Sequence, residues 1–261
     1  MALAEVRQRR TSTSTVSVVI PARNEDQNIG WVLERLPDCV DEVILVDGQS
    51  TDRTVAVSRR LRPDLVVIDE PRPGKGAALR AGFEAATGDV VVMIDADGSM
   101  DPREIDLFVA AVELGHDVVK GSRFAAGGGS TDLTWVRGIG NRCLLRLVNG
   151  MFGSRFSELC YGYFAFRRDA LDRLDLQADG FEIETEIVLR SIATGLRVAE
   201  IPSMEFDRLN GQSNLSPVRD GLRVLRTVLS SRFQRRPAAP GPQIDLTDRA
   251  RRSIDLSVSE A

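Results

Sequence analysis

Two aspartates at alternate positions, Asp95 and Asp97, are the residues of this sequence whose spacing points most directly to chemistry. In an extended segment, side chains two residues apart point to the same side, so these two carboxylates would lie together. Two carboxylates this close repel each other unless a cation lies between them. Mg²⁺ and Mn²⁺ are cations that bind carboxylate oxygens together with substrate phosphates. The pair therefore indicates a divalent-metal site, although an acidic turn after a strand gives the same pattern.

The elements that must position this pair alternate between strands and helices. The apolar run 90–94 is typical of a strand buried on both faces of a parallel sheet. Strict alternation of such strands with helices predicts an α/β fold with right-handed crossovers and a mostly parallel, doubly wound sheet. The other predicted strands are 16–21, 43–46, 65–69 and 117–123, and the helices between them are near 29–36, 51–61 and 75–86.

Polar residues follow the carboxyl ends of these strands, where ligands gather in doubly wound sheets. Beyond the aspartate pair they are Arg23, Asn24, Glu25, Asp47, Asp52 and Arg123. Turn chemistry alone would not require acids at each edge, so the group as a whole indicates a ligand site. A glycine-rich stretch at 125–129 is predicted to form a mobile loop beside that site.

The second half of the chain is predicted to complete the sheet and to build an acceptor pocket. Its elements are an amphipathic helix at 136–148, an aromatic strand-like segment at 157–166, a helix at 181–192 and a last strand at 197–202. We therefore predict one domain over 16–233. A flexible leader at 1–15 precedes it and a disordered tail at 234–261 follows it.

A final helix predicted at 217–233 has apolar residues on one side and arginines mostly on the other. A basic amphipathic helix of this kind can lie on an anionic membrane surface. Packing against the domain with a solvated basic face also explains the pattern. Both interpretations stay open, and peripheral contact with the inner face of the cell membrane is one of them.

Composition argues against several classes of function. The net charge of −4 gives no reason to expect a nucleic-acid partner, and no apolar run approaches the ~20 residues of a membrane-spanning helix. The N-terminal segment lacks the apolar centre of a secretory signal, which predicts a cytoplasmic protein. Three separated cysteines are expected to be reduced, and a single histidine argues against a Ser-His-Asp triad or a multi-histidine zinc site.

Several short motifs follow one another in a distinctive order. They are Pro21-x-x-Asn24-Glu25, Val46-Asp47-Gly48-x-Ser50-x-Asp52, Gly74-Lys75-Gly76, Asp95-Ala96-Asp97, Gly121-Ser122-Arg123-Phe124, Gly180-Phe181-x-x-x-x-Glu186 and Phe206-x-x-Arg208-x-x-Gly211-x-Ser213. In this order they resemble the family-two inverting glycosyltransferases of GT-A fold. Within that family the sequence is most similar to the dolichol-phosphate mannose synthase branch and its bacterial polyprenyl-phosphate relatives.

The resemblance implies a Rossmann-like GT-A sheet with a nucleotide-sugar half at 16–124 and an acceptor half at 125–233. It implies that Asp95 and Asp97 hold Mg²⁺ or Mn²⁺ against a donor diphosphate, with Ser99 at the position of a further metal ligand. Lys75 and Arg123 would contact phosphates. The residues implied to bind the nucleotide-sugar are Pro21, Ala22, Asn24, Glu25, Asp47, Asp52, Lys75, Asp95, Ala96, Asp97 and Arg142.

The same resemblance implies transfer of a hexose to one of two acceptor classes. A polyprenyl phosphate carries its own nucleophilic oxyanion, with which Arg123, Arg142 and Arg208 would pair. A hydroxyl acceptor needs a carboxylate to take its proton, and Glu158 and Glu186 are the candidates. These two glutamates, with Asp97, Arg123 and Arg208, form the predicted catalytic set.

Departures from the family pattern keep other functions open. Two expected cations are missing, one within the segment Tyr161-Gly162-Tyr163-Phe164 and one at Asn214, which keeps the hydroxyl acceptor open. A sugar nucleotidyltransferase also combines an α/β sheet with a metal. A nucleotide-sugar sensor would bind the donor without transferring the sugar. The sequence also leaves the oligomeric state open, a homo-oligomer included.

Overall fold

An eight-stranded sheet forms the centre of the protein. The computed structural model describes residues 13–131, 135–212, 217–231 and 244–245. Gly129–Ser130 (β6) and Met204–Glu205 (β9) form a separate two-stranded sheet. The strands of the main sheet are β1 (Val16–Ala22), β2 (Glu42–Asp47), β3 (Val66–Asp69), β4 (Val90–Met93), β5 (Val118–Ser122), β7 (Phe164–Arg167), β8 (Val198–Pro202) and β10 (Ile244–Asp245).

The main sheet is mostly parallel, as the sequence predicted. Its strand order is β10-β8-β5-β7-β4-β1-β2-β3, and only β7 runs antiparallel to its neighbours. Ala22 is in register with Asp47 across β1 and β2, and Val19 is in register with Met93 across β1 and β4. The carboxyl ends of these three strands therefore meet at one edge of the sheet.

Helices cover both faces of the sheet, which explains why its strands are apolar on both sides. Val18 and Ile20 share one core with α1, α2 and α4, whereas Val19 belongs to the core formed with the other helices. In the described ranges, none of the helices combines the length and the apolar character needed to cross a membrane. The helices are α1 (Ile29–Leu33), α2 (Thr54–Leu61), α3 (Lys75–Ala85), α4 (Ile105–Glu113), α5 (Trp135–Phe152), α6 (Arg168–Asp172), α7 (Ile183–Ala193) and α8 (Pro217–Ser231).

Several predicted elements differ in extent from the structure, and α5, for example, continues to Phe152, beyond the predicted end at 148. The first helix ends at Leu33, and only the end of the aromatic segment 157–166 forms a strand. The part before β7 is irregular, with Tyr161 and Tyr163 buried beneath the carboxyl edge. Gly129 pairs with β9 although it was predicted to lie in a loop, and a Cβ there would lie 2.8 Å from the sulfur of Met204. The glycine at this position therefore permits close pairing rather than disorder.

The predicted leader and tail are described only in part. Thr15, predicted to be flexible, donates hydrogen bonds to Asp89 from its N–H and its hydroxyl at 2.9 and 2.7 Å. Ile244 and Asp245, within the predicted disordered tail, instead pair in parallel with β8. Residues 1–12 of the leader and the remaining residues of the tail lie outside the described residues, as do 132–134, 213–216 and the end of the predicted final helix.

The two predicted halves of the domain are interleaved. β7 comes from the second half, yet it lies between β4 and β5 of the first half. Met100, after β4, also forms a bridge with Glu205 of β9. Residues from both halves can therefore meet at the same edge of the sheet.

Candidate active site

A cleft of about 290 Å³ opens at the carboxyl ends of β1 and β4, and it contains the aspartate pair. Arg72, Phe181 and Arg208 line the same cleft, and the last two come from the second half of the chain. The structure therefore brings most of the predicted donor-binding set together. The predicted residues that line the cleft are Pro21, Ala22, Glu25, Lys75, Asp95, Ala96 and Asp97.

Asp95 forms an ion pair with Lys75 at the start of α3. The Nζ of Lys75 lies 2.6 Å from Oδ1 and 2.8 Å from Oδ2 of Asp95, and 2.8 Å from Oε1 of Glu184 on α7. Burial raises the pKa of Asp95 to about 6, while the charge of Lys75 opposes that rise and the charges of Asp97 and Glu184 add to it. Burial lowers the pKa of Lys75, but the two carboxylates outweigh burial and raise it above its ordinary value. One ammonium group is thus shared by two acids.

Two glycines fix the position of Lys75. The N–H groups of Gly76 and Ala77 donate to the carbonyl of Asp179 at 2.8 and 3.2 Å, which ties the start of α3 to the segment before α7. A Cβ on Gly74 or Gly76 would overlap a carbonyl oxygen of that segment, and Gly74 also has a φ of +119°. The Gly-Lys-Gly motif therefore explains how Lys75 meets Glu184 from a distant part of the chain.

Asp97 is held by a backbone N–H and by Arg208. The N–H of Ser99 donates to Oδ1 of Asp97 at 3.0 Å, and a guanidinium nitrogen of Arg208 lies 3.3 Å from Oδ2. Arg208 also donates to Glu25, so it joins the loop after β1 to the end of β4. The N–H of Leu209 donates to the carbonyl of Asp97 at 3.2 Å. Ser99 therefore contacts Asp97 through its backbone, whereas the sequence predicted it as a metal ligand.

The carboxylate oxygens of Asp95 and Asp97 fit a divalent ion whose other ligands would not be protein side chains of this edge of the sheet. Asp95 and Asp97 present hard carboxylate oxygens to one cleft, which is the donor type that Mg²⁺ and Mn²⁺ prefer. Among the described residues, no three His, Cys, Asp or Glu side chains are grouped as a metal site. Phosphate or water oxygens would have to complete the shell. The ion would also compete with Lys75 and Arg208 for the two carboxylates.

The loop after β1 is folded by its own polar residues. Asn24 has a left-handed φ of 58°, its N–H donates to Ser50 Oγ at 2.9 Å, and its Oδ1 accepts from the N–H of Thr51 at 2.8 Å. Glu25 accepts from Nδ2 of Asn28 at 2.7 Å. Asn24 lines a neighbouring cleft of about 390 Å³, and Arg208 lines both clefts. Asn24 therefore shapes the loop from outside the aspartate cleft.

Asp47 is a buried acid that lies outside both clefts, next to the cleft residue Gly48, and one of its oxygens has no hydrogen-bond partner within the described chain. Its Oδ2 accepts from the N–H of Ser50 at 3.1 Å, whereas within the described chain its Oδ1 has no hydrogen-bond partner. A buried acceptor without a partner costs free energy, so native structures usually satisfy it with a protein group, water or ligand. Asp47 is therefore suited to accept a hydrogen bond from a bound molecule.

The carboxylate of Asp52 accepts hydrogen bonds from backbone N–H groups and does not line the cleft. One of its oxygens accepts from the N–H of Thr54 at 2.9 Å, and the other accepts from the N–H of Asp26 at 3.1 Å. These bonds join the loop after β1 to the start of α2. The sequence predicted Asp52 as a donor-binding residue, but its contacts assign it to positioning this loop.

Arg123 follows β5 and is enclosed by groups of the second half. Its guanidinium lies 2.8 Å from Glu158 and 2.9 Å from Glu205, and it donates to the carbonyl of Cys160 at 2.9 Å. Glu158 is fully buried. Burial alone would raise the pKa of Glu158, but Arg123 and Lys120 hold it below its ordinary value. Glu158 is therefore an ionised partner of Arg123, poorly placed to take a proton from a substrate.

Two other predicted residues lie away from the aspartate pair. The carboxylate of Glu186 accepts from the N–H groups of Gln177 and Ala178 at 3.0 and 2.7 Å, and it pairs with Arg190 at 3.0 Å. Glu186 therefore holds the segment before α7 instead of serving as a free base. Arg142 is an exposed residue of α5 outside both clefts.

Three residues that line the aspartate cleft or contact Lys75 were not predicted as site residues. Arg72 is anchored by Glu70 at 2.7 Å, the ring centre of Phe181 lies 6.0 Å from Nζ of Lys75, and Glu184 binds Lys75. The predicted helix at 181–192 contains three acids, and helical periodicity separates Glu184 from the face shared by the other two. The spacing of the three acids thus set Glu184 apart in the sequence, but it did not indicate which face of the helix lies towards the cleft.

The mostly parallel sheet flanked by helices is a GT-A-like fold, because it matches solved glycosyltransferase structures. The model of the family described as "Glycosyl transferase family 2" matches residues 17–175. The chain therefore belongs to glycosyl transferase family 2, and it is a glycosyltransferase.

Named relatives and a solved structure agree with this membership. The chain is 31% identical to the polyprenol monophosphomannose synthase of Mycolicibacterium smegmatis over 78% of this chain and 82% of that protein. It is 29% identical to the dolichol-phosphate mannosyltransferase of Pyrococcus furiosus over 77% of this chain and 59% of that protein. The structure is similar to that of glucosyl-3-phosphoglycerate synthase from Mycobacterium tuberculosis in complex with Mn²⁺, UDP-glucose and phosphoglyceric acid. The TM-score is 0.68 and the sequence identity is 26%, and the match covers 85% of this chain and 80% of that chain.

Proposed function

We propose that this chain is a metal-dependent, inverting glycosyltransferase that moves a hexose from a nucleoside-diphosphate sugar to a polyprenyl phosphate. The observation that supports the proposal most is the cleft in which two carboxylates lie beside Lys75, Arg72 and Arg208. Two acids and three cations suit a diphosphate bound through a divalent ion. The similar structure in complex with Mn²⁺ and UDP-glucose supports the same donor chemistry.

Each part of the cleft has a proposed task in donor binding. A divalent ion held by Asp95 and Asp97 would neutralise the charge that develops on the departing diphosphate. Arg72 lines the cleft with its guanidinium fixed by Glu70, so it is oriented to contact a phosphate. Beside the cleft, Asp47 would accept a hydrogen bond from the nucleoside through Oδ1, its buried oxygen without a partner in the described chain.

The state of the second-half acids supports a phosphate acceptor. Glu158 is buried against Arg123, and Glu186 holds the segment before α7, so neither proposed base is free. A phosphate acceptor needs no base because its oxyanion is already a nucleophile. Two relatives, a polyprenol monophosphomannose synthase and a dolichol-phosphate mannosyltransferase, favour the same acceptor class. The solved neighbour bound to phosphoglyceric acid makes a soluble anionic acceptor the second candidate.

Helix α8 would bring the enzyme to a lipid acceptor. Its buried side contains Val224 and Val228, whereas Leu222 and Leu229 are 63% and 46% exposed. The exposed leucines alternate with exposed arginines along one stripe of the helix, a pattern that suits an anionic membrane surface. A Cβ on Gly180, beside the cleft residue Phe181, would lie 3.0 Å from Arg223. The helix therefore packs beside the segment that carries the cleft residue Phe181.

Transfer assays with defined donors and acceptors test the proposal. The purified protein is incubated with Mn²⁺, UDP-glucose or GDP-mannose, and either a polyprenyl phosphate or 3-phosphoglycerate, and products are identified by mass spectrometry. We expect a glycosyl polyprenyl phosphate with inverted anomeric configuration, free nucleoside diphosphate, and loss of both products in EDTA.

Each other outcome selects a different function. A glycosylated phosphoglycerate would select the soluble acceptor. Release of pyrophosphate would identify a nucleotidyltransferase, and donor binding without any product from either acceptor would identify a sensor.

A further inference from the structure

We propose that Glu184 is a positioning residue that sets the affinity of the metal site by competing with Asp95 for the ammonium group of Lys75. This inference rests on the proposed function, because it takes Asp95 and Asp97 as the ligands of a divalent ion. It assigns a task to a buried acid that the donor chemistry above does not use.

The three groups form one compact cluster. Nζ of Lys75 lies 2.6 Å from Asp95 and 2.8 Å from Glu184. The side chains of Lys75 and Glu184 are only 9% and 10% exposed, whereas Asp95 keeps 26% of its side chain exposed to the cleft. Lys75 and Glu184 are therefore the inner pair, and Asp95 is the member that a ligand can reach.

The backbone around the cluster leaves these side chains little room to move. The carbonyl of Asp179 fixes the start of α3, and with it Lys75, beside the segment that leads into α7. On the opposite side, a Cβ on Gly162 would lie 2.5 Å from Nζ of Lys75 and 2.8 Å from Oε1 of Glu184. Lys75 cannot swing far from either acid, so its charge stays next to any ion that Asp95 binds.

The charge of Glu184 decides how Lys75 acts on that ion. A divalent ion that binds Asp95 takes a partner from Lys75 and repels the nearby ammonium group. When the ion binds Asp95, Glu184 still forms an ion pair with Lys75. The free-energy cost of separating Asp95 from Lys75 is therefore lower. Without Glu184, Asp95 would be the carboxylate left to Lys75 in this cluster, and the ammonium would compete with the metal for it.

Metal binding alone tests the inference, without donor or acceptor. Mn²⁺ is titrated into the full chain, and the free ion is measured by its electron paramagnetic resonance signal. Glu184→Gln should weaken Mn²⁺ binding about tenfold, the size typical of groups that orient metal ligands. Lys75→Gln should strengthen it, because the competing cation is gone. The loss caused by Glu184→Gln should shrink when Lys75 is already Gln, because the group that Glu184 positions is then absent.

A matched control separates this role from a general change in charge or folding. Glu84→Gln removes the same charge from α3, the helix that begins at Lys75, but Glu84 is exposed to solvent and is not part of the cluster. It should leave Mn²⁺ affinity unchanged. Glu184→Asp keeps the charge and should retain part of the affinity.

The outcomes distinguish this inference from the proposed function. Equal losses from Glu184→Gln with and without Lys75, or wild-type affinity in Glu184→Gln, would overturn the inference alone, provided that Asp97→Asn still abolishes binding. No saturable Mn²⁺ binding by the wild type, or binding that Asp97→Asn leaves intact, would overturn both.

Discussion

At the scale of single residues, Asp97 offers the sharpest test of catalysis. Asp97→Asn keeps the shape of the side chain but removes the charge that a metal needs, so turnover should fall at least about a hundredfold. Asp106→Asn is the matched control, because Asp106 is an exposed acid in the first turn of α4. Initial rates with the donor and acceptor that the transfer assays select give both values. A rate within a few fold of wild type for Asp97→Asn would contradict the metal role.

Glu70 should contribute to stability in a pH-dependent way. The hydrogen bonds from Arg72 lower the pKa of Glu70 from 4.5 to about 2. Because the depressed pKa belongs to the folded state, the stabilisation is present above about pH 4.5 and is lost as the pH falls towards 2. Glu70→Gln should therefore reduce stability at pH 7 and flatten its dependence on pH over this acidic range.

Urea unfolding at neutral and acidic pH measures this effect. The control is Glu84→Gln, since Glu84 is an exposed residue of α3. An unchanged pH profile in Glu70→Gln would show that the ion pair with Arg72 contributes nothing to folding.

The sequence predicted the acids of the cleft better than their partners. Asp95 and Asp97 could be found because alternation after a buried strand places them together at a known edge. Arg72 lies in the irregular segment after the short strand β3. There, no spacing relative to other residues distinguishes a ligand-binding arginine from an ordinary surface arginine. Glu158 was predicted as a base because its residue type suits that task, but type alone does not reveal that a buried Arg123 already pairs with it.

At the scale of elements, a substitution at Gly162 tests how closely the segment before β7 packs against Lys75 and Glu184. An added methyl group would press on Lys75 and Glu184, so Gly162→Ala should destabilise the fold by about 1–3 kcal/mol and weaken donor binding by displacing Lys75. Thermal unfolding and the KM for the donor measure the two effects. Unchanged values for both would mean that the cluster relaxes freely.

A second glycine provides the matched control. Gly140 is an exposed residue of α5, and a Cβ there would meet nothing within 4 Å. Gly140→Ala should therefore stabilise the protein, by roughly 0.5–1 kcal/mol, because alanine is the better helix former. A loss of stability in this variant would indicate an unseen contact on that face.

The regular elements followed from the sequence, whereas the irregular ones did not. Apolar runs and helical periodicity predicted the alternation of β1 to β5 with helices because those signals are local. The antiparallel insertion of β7 depends on pairing between segments far apart in the chain, which no local pattern encodes. The Gly129–Ser130 pairing depends on close approach in a stretch whose composition predicted a loop. The aromatic segment before β7 was predicted as a strand, but it is irregular and buried.

At the scale of the whole molecule, the exposed stripe on α8 is the surface through which we propose contact with lipid. Arg219→Glu with Arg226→Glu reverses two exposed charges beside Leu222 and Leu229, so binding to vesicles that contain anionic lipid should fall at least about tenfold. Vesicle sedimentation measures this binding. Equal binding by the altered and the wild-type protein would reject the surface.

The control for this experiment makes the same change elsewhere. Arg59→Glu with Arg60→Glu reverses two exposed charges in the last turn of α2, which packs on the opposite face of the sheet. This pair should leave vesicle binding close to that of the wild type. An equal loss from both pairs would mean that net charge, rather than the α8 stripe, controls the attraction.

The position of β7 also has a consequence for how the chain reaches its native state. β4 and β5 leave the ribosome well before the strand that separates them, so until residues 164–167 emerge both have an unsatisfied edge. A nascent chain that stops after β5 would display open strand edges, which invite pairing with other chains. Fragments that end near residue 124 should accordingly aggregate, and acquisition of native structure should wait for the interposed strand.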